Sequence, residues 1–118
     1  MFKFEELRVY QESLQLTNVI YEITSKWPKH EMFGLVDQFR RAAVSVSLNI
    51  AEGSSRSQKD FGHFLNMAKG SCFECTAILT IAKHLGYIDK NEYESLYERC
   101  EKMVRMLSAL KKALLVDR

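Results

Sequence analysis

The stretch RRAAVSVSLNIAEGSSR, residues 40–56, places its apolar side chains three and four positions apart rather than two. On a wheel of about 100° per residue, Ala43, Val46 and Ile50 fall on one side with Val36 and Phe39 from just upstream. Arg41, Ser45, Leu48 and Glu52 fall opposite, with Gln38 and Asn49 at the margin. This is an amphipathic helix, but its polar side is made mostly of short side chains where a wet face usually carries long Lys and Glu. Arg41, Ser45 and Glu52 lie near one line, so a guanidinium, a hydroxyl and a carboxylate could form a hydrogen-bonded ladder. Three readings compete: a solvated face, a polar network between subunits, or an active site. The last is short of parts, because the segment holds no His or Cys, Ser45 has no evident base and Glu52 has no assignable proton-transfer partner.

Working outward, helical spacing continues along the chain and breaks at few places. A first helix is expected from about Phe4 to Trp27, where Pro28 stops it by lacking an N–H and disfavouring helix at the residue before it. A second begins near Glu31 or Met32 and ends at Gly53 with Ser54 and Ser55, a glycine C-cap pattern. Ser57 suits the N-cap of a third helix that stops at Gly86. Asp89, with Glu92 three residues on, makes a capping-box pattern for a fourth helix reaching about Leu115. Long helices joined by short connections predict an all-α protein, an up-down-up-down antiparallel four-helix bundle. With 118 residues, 47% of them hydrophobic, and only five Gly and one Pro, the chain has material for one core and little for linkers, so residues 1–118 read as a single domain.

Helix three aligns Phe61, Leu65, Ala68, Cys72, Cys75, Leu79 and Ala82, and helix four aligns Leu96, Cys100, Met103, Leu107, Leu110 and Leu114, as core stripes. Helix one has two stripes about half a turn apart. Leu7, Tyr10, Leu14, Thr17 and Tyr21 form one, and Val9, Leu16, Ile20 and Ile23 the other. A lone bundle needs one stripe per helix, so Val9, Leu16, Ile20 and Ile23 are expected to be covered by another subunit. Gly70, beside Ser71 within helix three, suggests close approach of a neighbouring helix, and Glu74 could answer Arg40 or Arg41 across the bundle. The expected polar seam is thus Gln38, Arg41, Ser45, Asn49, Glu52 and Glu74.

Catalytic and metal chemistry find little support. Cys72 and Cys75 form a C-x-x-C pair, but both lie on the core stripe with no second ligand pair at zinc spacing. Three cysteines, an odd number, argue against a disulfide framework and for a reducing compartment. His30, His63 and His84 are too scattered for a ligand set, and no phosphate-loop, dinucleotide or zinc-protease motif occurs. No catalytic residue, cofactor or metal is therefore expected. Without a signal-peptide core or a run of about 18 apolar residues, the chain reads as soluble and cytoplasmic with no membrane partner. The net charge of +2 decides nothing, but residues 99–118 carry Arg99, Lys102, Arg105, Lys111, Lys112 and Arg118 against Glu101 and Asp117. Arg56, Lys59, Lys102, Arg105 and Lys112 are the candidates for phosphate contacts.

The run FGLVDQFRRAAVSVSLNIAEGSSR followed by FGHFLNMAKGSCFE resembles a bacterial four-helix-bundle family named after proteins encoded in intervening sequences of large-subunit ribosomal RNA genes. The resemblance rests on Gly34-Leu35, Asp37-Gln38, Arg40 to Ala43, Ser45, Asn49 to Gly53, Arg56, Gly70-Ser71 and Glu74, and covers nearly the whole chain. It implies an up-down bundle assembling into a ring-like homopentamer. It also implies kinship with the accessory variability determinant of diversity-generating retroelements, a basic pentameric barrel that associates with a reverse transcriptase and nucleic acid. The family has no established enzymatic activity. The expected function is therefore a non-enzymatic pentameric scaffold or adaptor for RNA or a nucleic-acid-associated protein. The alternative is a small-molecule-binding or enzymatic bundle using Arg41, Asn49, Glu52 and Glu74 around a cavity.

Overall fold

In the computed structural model, which describes residues 1–116, four helices form an all-α bundle with no strand among the described residues: α1 (Arg8–Thr24), α2 (Leu35–Ser54), α3 (Gln58–His84) and α4 (Lys90–Val116). Asp117 and Arg118, part of the charge pattern of helix four, lie outside the described residues. Each helix packs on the next and α1 also meets α4, which closes a bundle 47 Å long and 22 × 20 Å across. Its length fits the 27 residues of α3 and of α4, about 40 Å at 1.5 Å per residue.

The turn signals act as their chemistry requires. Ser57 Oγ accepts the Asp60 N–H at 3.2 Å at the start of α3. Asp89 and Glu92 form the reciprocal capping box, with Glu92 N–H donating to Asp89 at 2.7 Å and Asp89 N–H to Glu92 at 3.2 Å. After α3, Gly86 takes φ +78°, and the Tyr87 and Gly86 N–H groups close onto the carbonyls of Ala82 and Lys83.

Helices one and two start later than the sequence pattern indicates. Lys3–Glu6 form a short 3-10 turn, and Leu7 is extended, so the first α-helical residue is Arg8 rather than Phe4. That break lets Phe4 pack edge-on against Tyr10, with ring centroids 4.9 Å apart. A second 3-10 turn, Lys29–Glu31, follows Pro28, and α2 begins at Leu35, whose N–H points to the Glu31 carboxylate at 3.4 Å. The other Glu31 oxygen accepts the Tyr87 hydroxyl at 2.7 Å, tying the α1–α2 and α3–α4 connections together. Trp27 is wedged at this end against Phe39 and Tyr87, with centroids 5.7 and 5.6 Å away.

The core stripes of α3 and α4 are buried as expected from Phe61 to Ala82 and from Leu96 to Leu107, while Leu110 and Leu114 are half-buried. Helix one reverses the expectation. Val9, Leu16 and Ile20 are 5%, 1% and 0% exposed and belong to the chain's own core, with Ile23 half-buried against it. Val9, Leu16 and Ile20 therefore leave almost no surface for a second subunit. The stripe left partly open is the other one, where Leu14 and Tyr21 reach solvent. Two glycines also exchange roles. Gly53 is no C-cap: it lies buried inside α2, and a Cβ there would stand 2.6 Å from Phe64 Cβ and 2.8 Å from the Phe61 ring. It is the close approach between helices that Gly70, with nothing within 4 Å, was expected to make.

Candidate functional site

Between α1 and α2 runs an open groove of about 580 Å³, walled by Tyr21 of α1, by Val36, Val44 and Leu48 of α2, and at one end by Met32 and Phe33 of the connection. Val36 is buried at its floor and Val44 half-buried, but its other apolar side chains are not tucked away. Tyr21, Met32 and Leu48 are exposed, and Phe33 is 96% exposed. Two turns before Tyr21, exposed Leu14 continues the strip along α1.

Polar groups frame this groove at fixed positions. Arg40 donates from Nε to Thr24 Oγ1 at 3.0 Å and lies over the Tyr21 ring at 4.5 Å, so one guanidinium pins α1 to α2. Thr24 is held in turn by donating to the Ile20 carbonyl at 2.6 Å. Deeper between the two helices, the Ser13 and Ser47 hydroxyls meet at 2.7 Å in a buried pair. Ser45, which also lines the groove, accepts from Ser71 of α3 at 2.9 Å and from the Asn49 side-chain amide at 3.1 Å.

The expected seam is therefore only partly assembled. Ser45, Asn49 and Ser71 form a small network inside the chain. Arg41 and Glu52 do not join it, because each finds a nearer partner one turn away: Arg41 binds Asp37 at 2.9 Å and Glu52 binds Arg56 at 2.7 Å. Glu74 and Gln38 are exposed and take part in no side-chain hydrogen bond among the described residues, and Arg40 is already engaged with Thr24, so the bridge from Glu74 to Arg40 or Arg41 does not form. Arg41, Asn49, Glu52 and Glu74 consequently do not converge on one cavity.

The candidate phosphate contacts fall in separate places. Lys102 is bound to Glu12 of α1 at 3.2 Å, and Arg105 flanks a cleft between α3 and α4. Arg56 is held by Glu52 and lies over the Phe64 ring at 5.4 Å. Lys59, however, meets His63 and Lys111 around a hollow of about 270 Å³ at the bundle end, with exposed Lys112 next in sequence to Lys111. Among the described residues no group of three His, Cys, Asp or Glu is placed to hold a metal, and no helix is long and apolar enough to cross a membrane. The three thiols are free and buried. Burial, reinforced by Cys100 nearby, pushes Cys72 up to about 12, and burial first raises Cys75 and Cys100 as well.

Sequence reasoning missed the groove itself, and Phe33 with it, because Met32 and Phe33 were counted as the beginning of a helix. The signal was the apolar pair in EMFG, directly between a proline-led turn and a glycine.

The family model of the 23S rRNA-intervening sequence protein matches residues 5–109. The chain belongs to that family. The match spans the groove, both connections at its Trp27 end and most of α4. A protein of unknown function from the S23 ribosomal protein family of Bacteroides thetaiotaomicron, with a crystal structure at 1.70 Å resolution, is similar in fold: the TM-score is 0.79 over 88% of this chain and 95% of that one, at 24% identity. At that identity the likeness concerns the fold. No curated protein matches. The family's name refers to a ribosomal RNA intervening sequence and states no activity.

Proposed function

We propose that this protein is a non-enzymatic binding protein that assembles with copies of itself, as a ring of five, and serves as a scaffold or adaptor. The observation that carries the reading is the apolar strip along α1, α2 and the connection between them, where exposed Tyr21, Met32, Phe33 and Leu48 line one groove and exposed Leu14 lies two turns before Tyr21 on α1. Scattered single apolar residues are ordinary on a protein surface, whereas a gathered set marks a surface that another molecule covers. The ring of five follows the family resemblance. Inertness of the buried thiols favours packing over nucleophilic chemistry at those positions.

Such a ring would repeat the Lys59, His63 and Lys111 cluster five times at one end, multiplying a modest charge into a field that holds the phosphates of RNA or docks a nucleic-acid-associated protein. Light scattering at micromolar concentration tests the assembly. The expected mass is about five times the 13.7 kDa of one chain, and a monomer refutes the reading. Salt-sensitive RNA binding that weakens in Lys59→Glu with Lys111→Glu is expected of the charged end. RNA binding absent at low salt removes that half of the proposal.

A further inference from the structure

We propose that Phe33 of one copy seats in the cleft between α3 and α4 of the next. The inference rests on the proposed self-association and adds which two faces meet. Phe33 stands at the rim of the α1–α2 groove, 96% exposed, with its ring forgoing nearly all the burial that an aromatic side chain can contribute. The α3–α4 cleft opens on the opposite pair of helices. It holds about 300 Å³, is walled by Phe73, Thr76, Tyr97 and Val104, and reaches inward to Cys100, which is buried. That volume lies at the low end of the roughly 300–1,000 Å³ of ligand pockets and suits a single aromatic side chain. Phe73 and Tyr97 are both exposed at its mouth, so the cleft offers two aromatic edges to an incoming ring.

Charge on the two faces is complementary. Beside Phe33 the groove presents Arg40 and Arg41 against Asp37. Beside the cleft stand Glu101 and, around the adjoining side of Tyr97, Glu94 and Glu98, against Arg105 and Lys90, which lies 4.0 Å from Glu94. A net positive rim therefore meets a net negative one, which steers encounter and fixes orientation. Docking one face on a different face is a heterologous contact, the kind that closes into a ring. Two α1–α2 grooves meeting each other would instead bring like-charged arginines together and stop at a dimer.

Oxidative cross-linking tests the contact. In a Phe33→Cys, Phe73→Cys protein treated with diamide, the introduced thiol at position 33 and the one at the exposed mouth of the neighbour's cleft give one disulfide, losing two protons and two electrons to the diamide. The expected product is a ladder of multimers on a non-reducing gel that collapses with reductant and is absent from either single variant. A product that stops at dimer and forms with Phe33→Cys alone overturns the inference in favour of the self-facing arrangement. No cross-link in a variant whose light-scattering mass is still oligomeric also overturns it, and leaves the assembly standing on other faces. A monomeric wild type, by contrast, removes the assembly itself. Because Phe33→Cys also removes the ring, a charge exchange gives an independent measurement. Arg41→Glu should weaken association roughly tenfold or more, and Arg41→Glu combined with Glu101→Arg should restore it. Failure of the exchange to restore association sinks the proposed pairing of faces.

Discussion

Gly53→Ala sets helix propensity against packing, and the structure indicates which wins. In a helix an alanine ordinarily improves on glycine by about 0.5–1 kcal/mol, and less near a helix end, where Gly53 sits one residue before the last of α2. Against that gain, the new methyl would lie 2.6 Å from Phe64 Cβ and 2.8 Å from the Phe61 ring. The Phe61 ring can turn aside, but Phe64 Cβ is fixed to the α3 backbone, so relief requires the two helices to separate. Overpacking of this kind costs about 1–3 kcal/mol. The net expectation is a loss of about 1–2 kcal/mol and a melting temperature lowered by roughly 4–10 °C. Gly70→Ala supplies the control. Nothing stands within 4 Å of its added methyl, so propensity acts alone and the variant should gain about 0.5–1 kcal/mol. Far-UV circular dichroism melts and urea titrations on both variants measure the two signs. A Gly53→Ala protein as stable as wild type, or more so, refutes the close-approach account.

Three further outcomes are expected. Asp89→Ala removes the acceptor that caps α4 and should cost about 1 kcal/mol, seen as a lower urea midpoint with an unchanged slope. The Tyr87 hydroxyl, with help from the Leu35 N–H, holds the Glu31 carboxyl below its usual range, so its stabilising contribution is complete above the ordinary carboxylate value and is lost as pH falls through the lowered one. Wild type and Glu31→Gln should therefore differ in melting temperature at neutral pH and converge in acid; a difference that does not change with pH contradicts the latch. The native thiols, with Cys72 pushed up to about 12 and all three buried, should react with a thiol reagent near neutral pH only after denaturant is added. Rapid labelling of the folded protein counts against that burial.

Much of the fold was legible because its punctuation is local. Ser57, Gly86, Asp89 and Glu92 each act on backbone groups within a few residues, so spacing alone finds them. Membership of a core stripe was equally legible on α3 and α4, which have one apolar face each. Helix one has two, and periodicity fixes the angle between stripes without fixing how the helix is rotated toward its neighbours. The burial of Ser13, Thr24 and Ser47 decides that rotation, since their hydroxyls find partners only between α1 and α2 or on the helix itself. The seam failed for a related reason. Arg41 and Glu52 each had a complementary charge four residues away, at Asp37 and Arg56, and a short local reach wins over an alignment drawn along a wheel. The groove depended on a loop, Met32 and Phe33, whose placement no helical period encodes.

The indole of Trp27, the only tryptophan in the chain, is buried, and its N–H has no hydrogen-bond partner among the described residues. Because the ring is buried and its N–H makes no hydrogen bond, its emission is expected toward the blue side of tryptophan fluorescence. The probe reads one place: the end of the bundle where Phe39, Tyr87 and the Glu31 latch meet. A red shift that precedes loss of helix signal would mean that this end opens first, while α3 and α4 still hold together. The molecule thus carries its own site-specific dye, placed beside the connection that presents Phe33.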